Sequence, residues 1–214
     1  MFSSGICCDL DGVLWDSESA HRRAFLGSAE KHFGALASSF FSGDWGFGSS
    51  THNVFASMLN WLNIDADEPL MNSLIMEKRF LADKYINEEI VINFELLATL
   101  ETIKDVYNSG VALVSASSRG NVENFLRLSG KEEIFDVCIS RESTNLTKPN
   151  PEPYSKALQL LRVQGSKSLA IDDSIDGIES AMKANIALVI QYPFEEEKHT
   201  RIHSFLKMIA TTSK

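Results

Sequence analysis

Short apolar runs with the length of β-strands recur near the amino terminus and through the second half of the chain. They cover residues 6–8, 111–114, 135–139, 169–171 and 186–190. Between the later runs, over residues 121–128, 151–161 and 175–184, the apolar side chains recur with the spacing of a helix. This alternation predicts an α/β fold with a doubly wound, mostly parallel, Rossmann-like sheet that carries helices on both faces.

The first strand is exceptional because residues 9–110 separate it from the second, which is more than one crossover helix needs. Helical spacing recurs inside this gap over residues 20–32, 51–62 and 68–85, and again over 94–107. We therefore predict an inserted α-helical domain at residues 17–86 and an α/β core domain formed by residues 1–16 and 87–214. A glycine- and aromatic-rich segment at 40–50 interrupts the insert, and we expect its aromatic residues to be core: Phe40, Phe41, Trp45 and Phe47.

The charge balance excludes two classes of partner. With 20 Lys and Arg against 29 Asp and Glu, the formal net charge is −9, so the chain as a whole does not attract a nucleic-acid backbone or an anionic membrane. An anionic substrate must then be attracted by a local cation or a bound metal.

The three cysteines, Cys7, Cys8 and Cys138, are too few and too unevenly spaced for a disulfide framework, and we expect all three to be small core residues on strands. The amino terminus lacks the basic and apolar regions of a signal peptide, and no apolar run is long enough to span a bilayer. We expect a cytoplasmic protein that is a monomer, with a dimer left open.

Two pairs of acidic residues follow predicted strands. Asp9 and Asp11 come directly after the first strand and, being two positions apart, leave it on the same side. Asp172 and Asp173 follow the strand at 169–171. Because parallel strands end at the same edge of a sheet, up to four carboxylates converge there, and a hard divalent cation such as Mg²⁺ would relieve their repulsion.

Further residues at the same edge suit a phosphate group. Ser115 stands at the carboxyl end of the strand at 111–114. Ala116 begins a segment at a helix start that is rich in hydroxyl and backbone N–H groups. Lys148 lies in a proline-rich loop, and the prolines restrict the backbone conformation around it. The acidic pairs offer a nucleophile and a metal site, and Lys148 offers a cation. Phosphoryl transfer requires these components.

These residues, in this order, resemble the four motifs of the haloacid dehalogenase-like hydrolase superfamily. The matching segments are Asp9 to Leu14 (DLDGVL), Ser115, Lys148 before a proline, and Asp172-Asp173-Ser174 with Gly177. The helical insert resembles the cap domain of the branch that includes phosphoglycolate phosphatase-like enzymes and β-phosphoglucomutase. The resemblance covers essentially the whole chain.

The resemblance implies a role for each position. Asp9 would attack phosphorus and form an aspartyl-phosphate, and Asp11 would act as general acid and then as general base. Ser115, Ala116 and Lys148 would bind the phosphoryl oxygens. The implied Mg²⁺ ligands are Asp9, the Leu10 carbonyl, Asp11, Asp172 and Asp173. The implied substrate is a small phosphorylated metabolite.

Two other residues are candidates for substrate binding. His21 lies early in the first helix of the insert, where capped relatives often have a histidine, but a partly buried helix residue is an equal alternative. Arg119 could bind a second anionic group, although a surface position is an alternative for it also. Asp16-Ser17 is expected to cap that first helix.

Two alternatives to a phosphatase stay open at this level. A sugar-phosphate mutase would use the same residues, but the segment GFGSSTH has serines where the mutases place an arginine after a glycine. A binding module controlled by aspartate phosphorylation would also use aspartates, a hydroxyl and a lysine, but such a domain is shorter and has no helical insert. A calcium-binding EF-hand loop is excluded, because its glycine stands sixth from the first Asp and Gly12 stands fourth.

Overall fold

The computed structural model describes residues 2–42, 50–192 and 204. The chain forms two compact units, one made of Met1–Asp16 and Ile92–Lys214 and the other of Ser17–Val91. The last helix of the second unit continues to Glu89. Trp45 and Phe47 lie outside the described residues.

The first unit contains a five-stranded sheet in which all pairs of neighbouring strands are parallel. The strands of the chain are β1 (Ser4–Cys8), β2 (Trp15–Asp16), β3 (Val91–Ile92), β4 (Ser109–Val114), β5 (Val137–Ile139), β6 (Ser168–Asp172) and β7 (Leu188–Gln191). The sheet has the order β5-β4-β1-β6-β7, and β2 and β3 form a separate pair. Every residue of β1, β4 and β6 is buried, as expected for the central strands of a sheet covered on both faces.

The helices are α1 (Glu18–Phe33), α2 (Ala35–Phe41), α3 (Thr51–Trp61), α4 (Glu68–Glu89), α5 (Phe94–Tyr107), α6 (Arg119–Ser129), α7 (Glu152–Leu161) and α8 (Ile175–Lys183). The last four belong to the α/β unit. One face of α7 packs on the sheet through Tyr154, Ala157 and Leu161, which join Cys7 of β1 and Val114 of β4 in one core cluster. The doubly wound α/β fold predicted from sequence is therefore confirmed.

The first four helices form the second unit, whose core is a separate apolar cluster around Phe25, Phe55 and Met58. Phe40 and Phe41 pack against this cluster, partly buried, in agreement with the expectation for these two aromatic residues. The helix that contains them, α2, was not predicted, because it is only seven residues long and buries a single residue fully, Ala37. So short a segment has no helical period that can be recognised.

Two local expectations were wrong. Cys138 lies on β5 as predicted but is exposed, because β5 is an edge strand of the sheet. Ser17 occupies the position before α1, yet its side chain makes no capping hydrogen bond. No helix among the described residues is both long enough and apolar enough to cross a membrane.

Candidate active site

The pairing of the two central strands brings the two acidic pairs together. Cys8 of β1 is in register with Ile171 of β6, so Asp9 and Asp172 each stand one position further along neighbouring parallel strands. The Asp9 N–H donates to the Ile171 carbonyl oxygen at 2.9 Å, which fixes the start of the turn after β1. Both aspartates are buried, with 6% and 0% of their surface exposed.

Oxygen atoms of Asp9, Asp172 and Asp173 lie within 4.8 Å of one another. Two glycines permit this close approach. Gly12 has a φ of 76°, and a Cβ atom at this position would lie 2.2 Å from an Asp173 carboxylate oxygen. At Gly177 of α8 an added Cβ would lie 2.0 Å from both oxygens of Asp172. The sequence motif therefore includes the glycines for a steric reason, since a side chain at either position would collide with an acid.

Four donors hold the Asp172 carboxylate. Its Oδ1 accepts hydrogen bonds from the N–H and the Oγ of Ser174, at 3.1 and 2.8 Å. Its Oδ2 accepts from Lys148 Nζ at 2.7 Å and from Tyr154 Oη at 2.5 Å. A carboxylate has about four lone-pair positions. Asp172 is thus engaged by the protein itself, whereas the half-buried Asp173 presents its oxygens beside Gly12.

Lys148 joins the nucleophile candidate to the second acidic pair. Its Nζ lies 2.6 Å from Asp9 Oδ1 and 2.7 Å from Asp172 Oδ2, and only 5% of its side chain is exposed. Burial alone would lower the pKa of Lys148, but the carboxylates of Asp9 and Asp172 raise it to about 12. The lysine therefore stays protonated across the physiological pH range.

Burial also shifts the acids towards their neutral forms. It raises the pKa of Asp9, against the opposing effect of the Lys148 ammonium, and the charges of Asp172 and Asp11 raise it further. The pKa of Asp173 is raised by partial burial and by the neighbouring Asp172 charge. A divalent cation at this position would stabilise the ionised forms of the carboxylates, so the donor set fits a hard metal ion with oxygen ligands.

Asp11 points to a different set of partners. Trp15 Nε1 donates to its Oδ1 at 2.9 Å, and Ser117 Oγ donates to its Oδ2 at 2.6 Å. Ser115 Oγ lies 3.4 Å from the same Oδ2. Among the described residues, the acidic group that could hold a metal does not include Asp11.

Ser115 directly follows β4, and its N–H donates to the Ile139 carbonyl oxygen of the neighbouring strand at 2.9 Å. Its Oγ accepts a hydrogen bond from the Ser117 N–H at 2.9 Å, which curls the loop before α6. Ala116 is exposed in this loop, and Ser118 caps α6 by accepting from the Asn121 N–H. The structure therefore places Ser115 and Ala116 beside Asp11.

The remaining predicted residues are placed as follows. The Leu10 carbonyl oxygen accepts backbone hydrogen bonds from Val13, Leu14 and Trp15 at 3.3, 2.9 and 3.1 Å. Arg119 is exposed, and its N–H donates to Glu142 at 2.8 Å. His21 belongs to the helical unit, where its Nδ1 lies 3.2 Å from Lys78 Nζ.

Sequence reasoning missed three side chains that hold the predicted acids: Trp15, Ser117 and Tyr154. Trp15 and Ser117 are near Asp11 and Ser115 in the chain, but spacing alone does not show where an indole or a hydroxyl points. Tyr154 lies six positions after Lys148, at the start of a helix whose apolar face predicts only burial.

Comparison with known proteins identifies the family of the chain. A sequence profile described as haloacid dehalogenase-like hydrolase matches residues 4–185. The chain therefore belongs to the haloacid dehalogenase-like hydrolase family, as its motifs predicted.

A sequence relative is the pyrophosphatase PpaX of Bacillus thuringiensis (strain Al Hakam), with 30% identity over 139 residues. This match covers 64% of the chain and 59% of the relative, so the chain spans less than two thirds of that protein's length.

Two solved structures share the fold. One is provisionally named a beta-phosphoglucomutase, from Thermotoga maritima, with a TM-score of 0.72 and 20% identity over 96% of this chain and 98% of the other. The second is a predicted phosphoglycolate phosphatase from Haemophilus somnus 129PT, with a TM-score of 0.74 and 17% identity over 92% of this chain and 90% of the other.

Proposed function

We propose that this chain is a Mg²⁺-dependent phosphatase that hydrolyses a small phosphorylated metabolite through an aspartyl-phosphate on Asp9. The observation that carries the proposal is the position of Asp9. It is buried at the end of β1, bonded to Lys148 at 2.6 Å, and within 4.8 Å of the Asp172 and Asp173 oxygens. A nucleophilic carboxylate next to a fixed cation and further acids is suited to phosphoryl transfer.

The reaction would proceed in two steps. An Asp9 oxygen attacks phosphorus, the bond from phosphorus to the leaving oxygen breaks, and Asp11 gives its proton to that oxygen, so the alcohol departs. Asp11, now a carboxylate, then takes a proton from a water molecule that attacks phosphorus, which releases phosphate and restores Asp9. Lys148, Ser115 and the Ala116 N–H would bind the phosphoryl oxygens and neutralise their charge.

Asp9 and Asp173 would hold the Mg²⁺ ion, with Asp172 next to them and orienting Lys148. When bound, the ion supplies positive charge that lowers the repulsion between the Asp9 carboxylate and an incoming phosphate.

We also propose that the unit Ser17–Val91 acts as the substrate cap, and that His21 and Arg119 bind the part of the substrate distal to the reacting phosphate. The name of the Bacillus relative adds inorganic pyrophosphate to the substrates that deserve testing. The fold shared with the Thermotoga protein keeps a sugar-phosphate mutase as the second candidate.

The test is hydrolysis of p-nitrophenyl phosphate by the purified chain. A panel of sugar phosphates, phosphorylated short-chain carboxylic acids and pyrophosphate is then assayed in the same way. We expect phosphate release that requires Mg²⁺, stops with a chelator, and is absent in Asp9→Asn. Turnover without metal, or full activity in Asp9→Asn, would refute the proposal.

Two other outcomes would favour the alternatives. A mutase would convert a sugar phosphate into its isomer without releasing phosphate. A phosphorylation-controlled binding module would retain phospho-Asp9 for a long time and would not turn over.

A further inference from the structure

The Asp11 carboxylate is held on both of its oxygens by donors from two different segments. Trp15 Nε1, from the start of β2, donates to Oδ1 at 2.9 Å. Ser117 Oγ, from the loop after β4, donates to Oδ2 at 2.6 Å. Donors on opposite oxygens restrict rotation of the carboxylate plane more strongly than either donor does alone.

The Trp15 donor is itself rigid. Its side chain is 1% exposed, and its ring packs edge-on against Phe125 with the centroids 5.7 Å apart. Its backbone is fixed by two hydrogen bonds, from its N–H to the Leu10 carbonyl oxygen at 3.1 Å and from the Gly12 N–H to its own carbonyl oxygen at 2.9 Å. A buried indole N–H needs an acceptor, and here the acceptor is Asp11.

Ser117, the second donor, is half-buried and lies in the loop between β4 and α6. Its N–H donates to Ser115 Oγ at 2.9 Å, so the loop that would bind the phosphoryl group is the same loop that orients Asp11. The distance of 2.6 Å from Ser117 Oγ to Asp11 Oδ2 is at the short end of the range for hydrogen bonds between two oxygen atoms.

We propose that Trp15 and Ser117 are positioning residues that aim the Asp11 carboxyl group at the leaving oxygen of the substrate. The inference rests on the proposed function, because it assigns these residues a task only if Asp11 is the general acid. Neither residue exchanges a proton with the substrate; each fixes the orientation of Asp11, which does.

The leaving group provides the test. p-Nitrophenolate is stable as an anion at neutral pH and departs without a proton, whereas an alkoxide from glycerol 2-phosphate must be protonated as it departs. A poorly aimed general acid therefore slows the second substrate and not the first. The constant to compare is kcat/KM, which reports events up to formation of the aspartyl-phosphate and excludes the later hydrolysis step.

The variants are Trp15→Phe, Ser117→Ala and Ser117→Thr, with the exposed Ser166→Ala as a matched control. We expect Trp15→Phe and Ser117→Ala to lower kcat/KM for glycerol 2-phosphate about tenfold, which is part of the roughly 100- to 10,000-fold that general acid catalysis contributes, and to change that for p-nitrophenyl phosphate less than about twofold. Ser117→Thr keeps the hydroxyl and should restore the value for the alkyl substrate.

Equal losses on both substrates, or none on either, would overturn the inference. Thermal melting of each variant checks that it is folded, and the two serine variants decide the matter if Trp15→Phe is not. Asp9→Asn separates the two levels of the argument. If Asp9→Asn retains activity, the proposed function fails. If Asp9→Asn is inactive but Trp15→Phe and Ser117→Ala slow both substrates equally or neither of them, only the positioning role fails.

Discussion

Lys148 is the residue on which the charge balance of the site depends. Its ammonium lies within 2.7 Å of two carboxylates, Asp9 and Asp172, and all three side chains are nearly inaccessible to solvent. Removing one member of a buried ion pair leaves the partner uncompensated, which is more destabilising than the pair itself is stabilising. The position therefore matters to stability as well as to the proposed chemistry.

We expect Lys148→Met to lower the free energy of unfolding by about 3 kcal/mol at neutral pH in the absence of metal. Denaturant titration monitored by circular dichroism measures this change. Lys183→Met is the control, because Lys183 forms an exposed pair with Glu179 on α8 and should change stability by less than about 0.5 kcal/mol. If the two substitutions lower the free energy of unfolding equally, the buried carboxylates do not depend on Lys148 for compensation of their charge, and the argument is wrong.

Lys78 in the helical unit gives a prediction about pH. It is 8% exposed and lies 4.7 Å from the Phe25 ring centroid, and burial, with a smaller contribution from Arg79, lowers its pKa to about 8. Its pKa in the unfolded chain is about 10.4. Between these values the unfolded state binds more protons, so this group makes stability rise with pH from about 8 to about 10.4.

We expect Lys78→Met to stabilise the protein at pH 7 by about 1–3 kcal/mol, since the cost of burying the ammonium is then removed. The difference between the variant and the parent should shrink as the pH rises towards 10. Urea titrations at pH 7, 8.5 and 10 measure it. A variant that is less stable than the parent at pH 7 would contradict the argument.

In α8, a tertiary contact overrides the low helix propensity of glycine at position 177. Gly177 is inside this helix, where alanine would ordinarily be favoured by up to about 1 kcal/mol. An alanine Cβ at this position would lie 2.0 Å from the buried Asp172 carboxylate. The helix or the acid must then shift, although Ser174 and Lys148 hold the acid in place.

We therefore expect Gly177→Ala to destabilise the protein by about 1–3 kcal/mol, the range typical of overpacking. Gly120→Ala is the matched control, because Gly120 is also helical, in α6, and an added Cβ there approaches Ser118 Oγ only to 4.0 Å. That substitution should be neutral or stabilising by less than about 1 kcal/mol. Thermal melting of both variants makes the comparison, and a stable Gly177→Ala variant would contradict the steric account.

The elements also show what could be predicted from sequence. The bounds of α5, Phe94–Tyr107, match the prediction because Asn93 caps its start and its apolar positions repeat regularly. The strands β1, β4 and β6 were recognisable as continuous apolar runs because both faces of the sheet are covered. The contact between Tyr154 and Asp172 joins two elements through a side chain, and no local pattern encodes such a contact.

For the whole molecule, we expect the acidic cluster of Asp9, Asp172 and Asp173 to make the free energy of unfolding depend on cation concentration. Asp173 has a raised pKa, caused by partial burial and by the Asp172 charge, so ionising it costs more free energy in the folded chain than in the unfolded chain. Neutralising this residue should relieve repulsion in the metal-free protein. It should also remove a ligand of the metal ion. The variant should therefore be more stable than the parent without metal, and it should gain less stability than the parent when metal is added.

We expect a saturating concentration of Mg²⁺, about a hundred times the dissociation constant, to stabilise the parent chain by about 2.7 kcal/mol, which raises Tm by about 5–10 °C for a protein of this size. Asp173→Asn should melt at a higher temperature than the parent without metal and should gain little when Mg²⁺ is added. The exposed Asp105→Asn on α5 should behave like the parent in both conditions. Differential scanning calorimetry with and without a chelator measures the melting temperatures of all three proteins in both conditions. If Mg²⁺ raises the Tm of Asp173→Asn as much as that of the parent, the ion binds elsewhere and the proposed metal site is wrong.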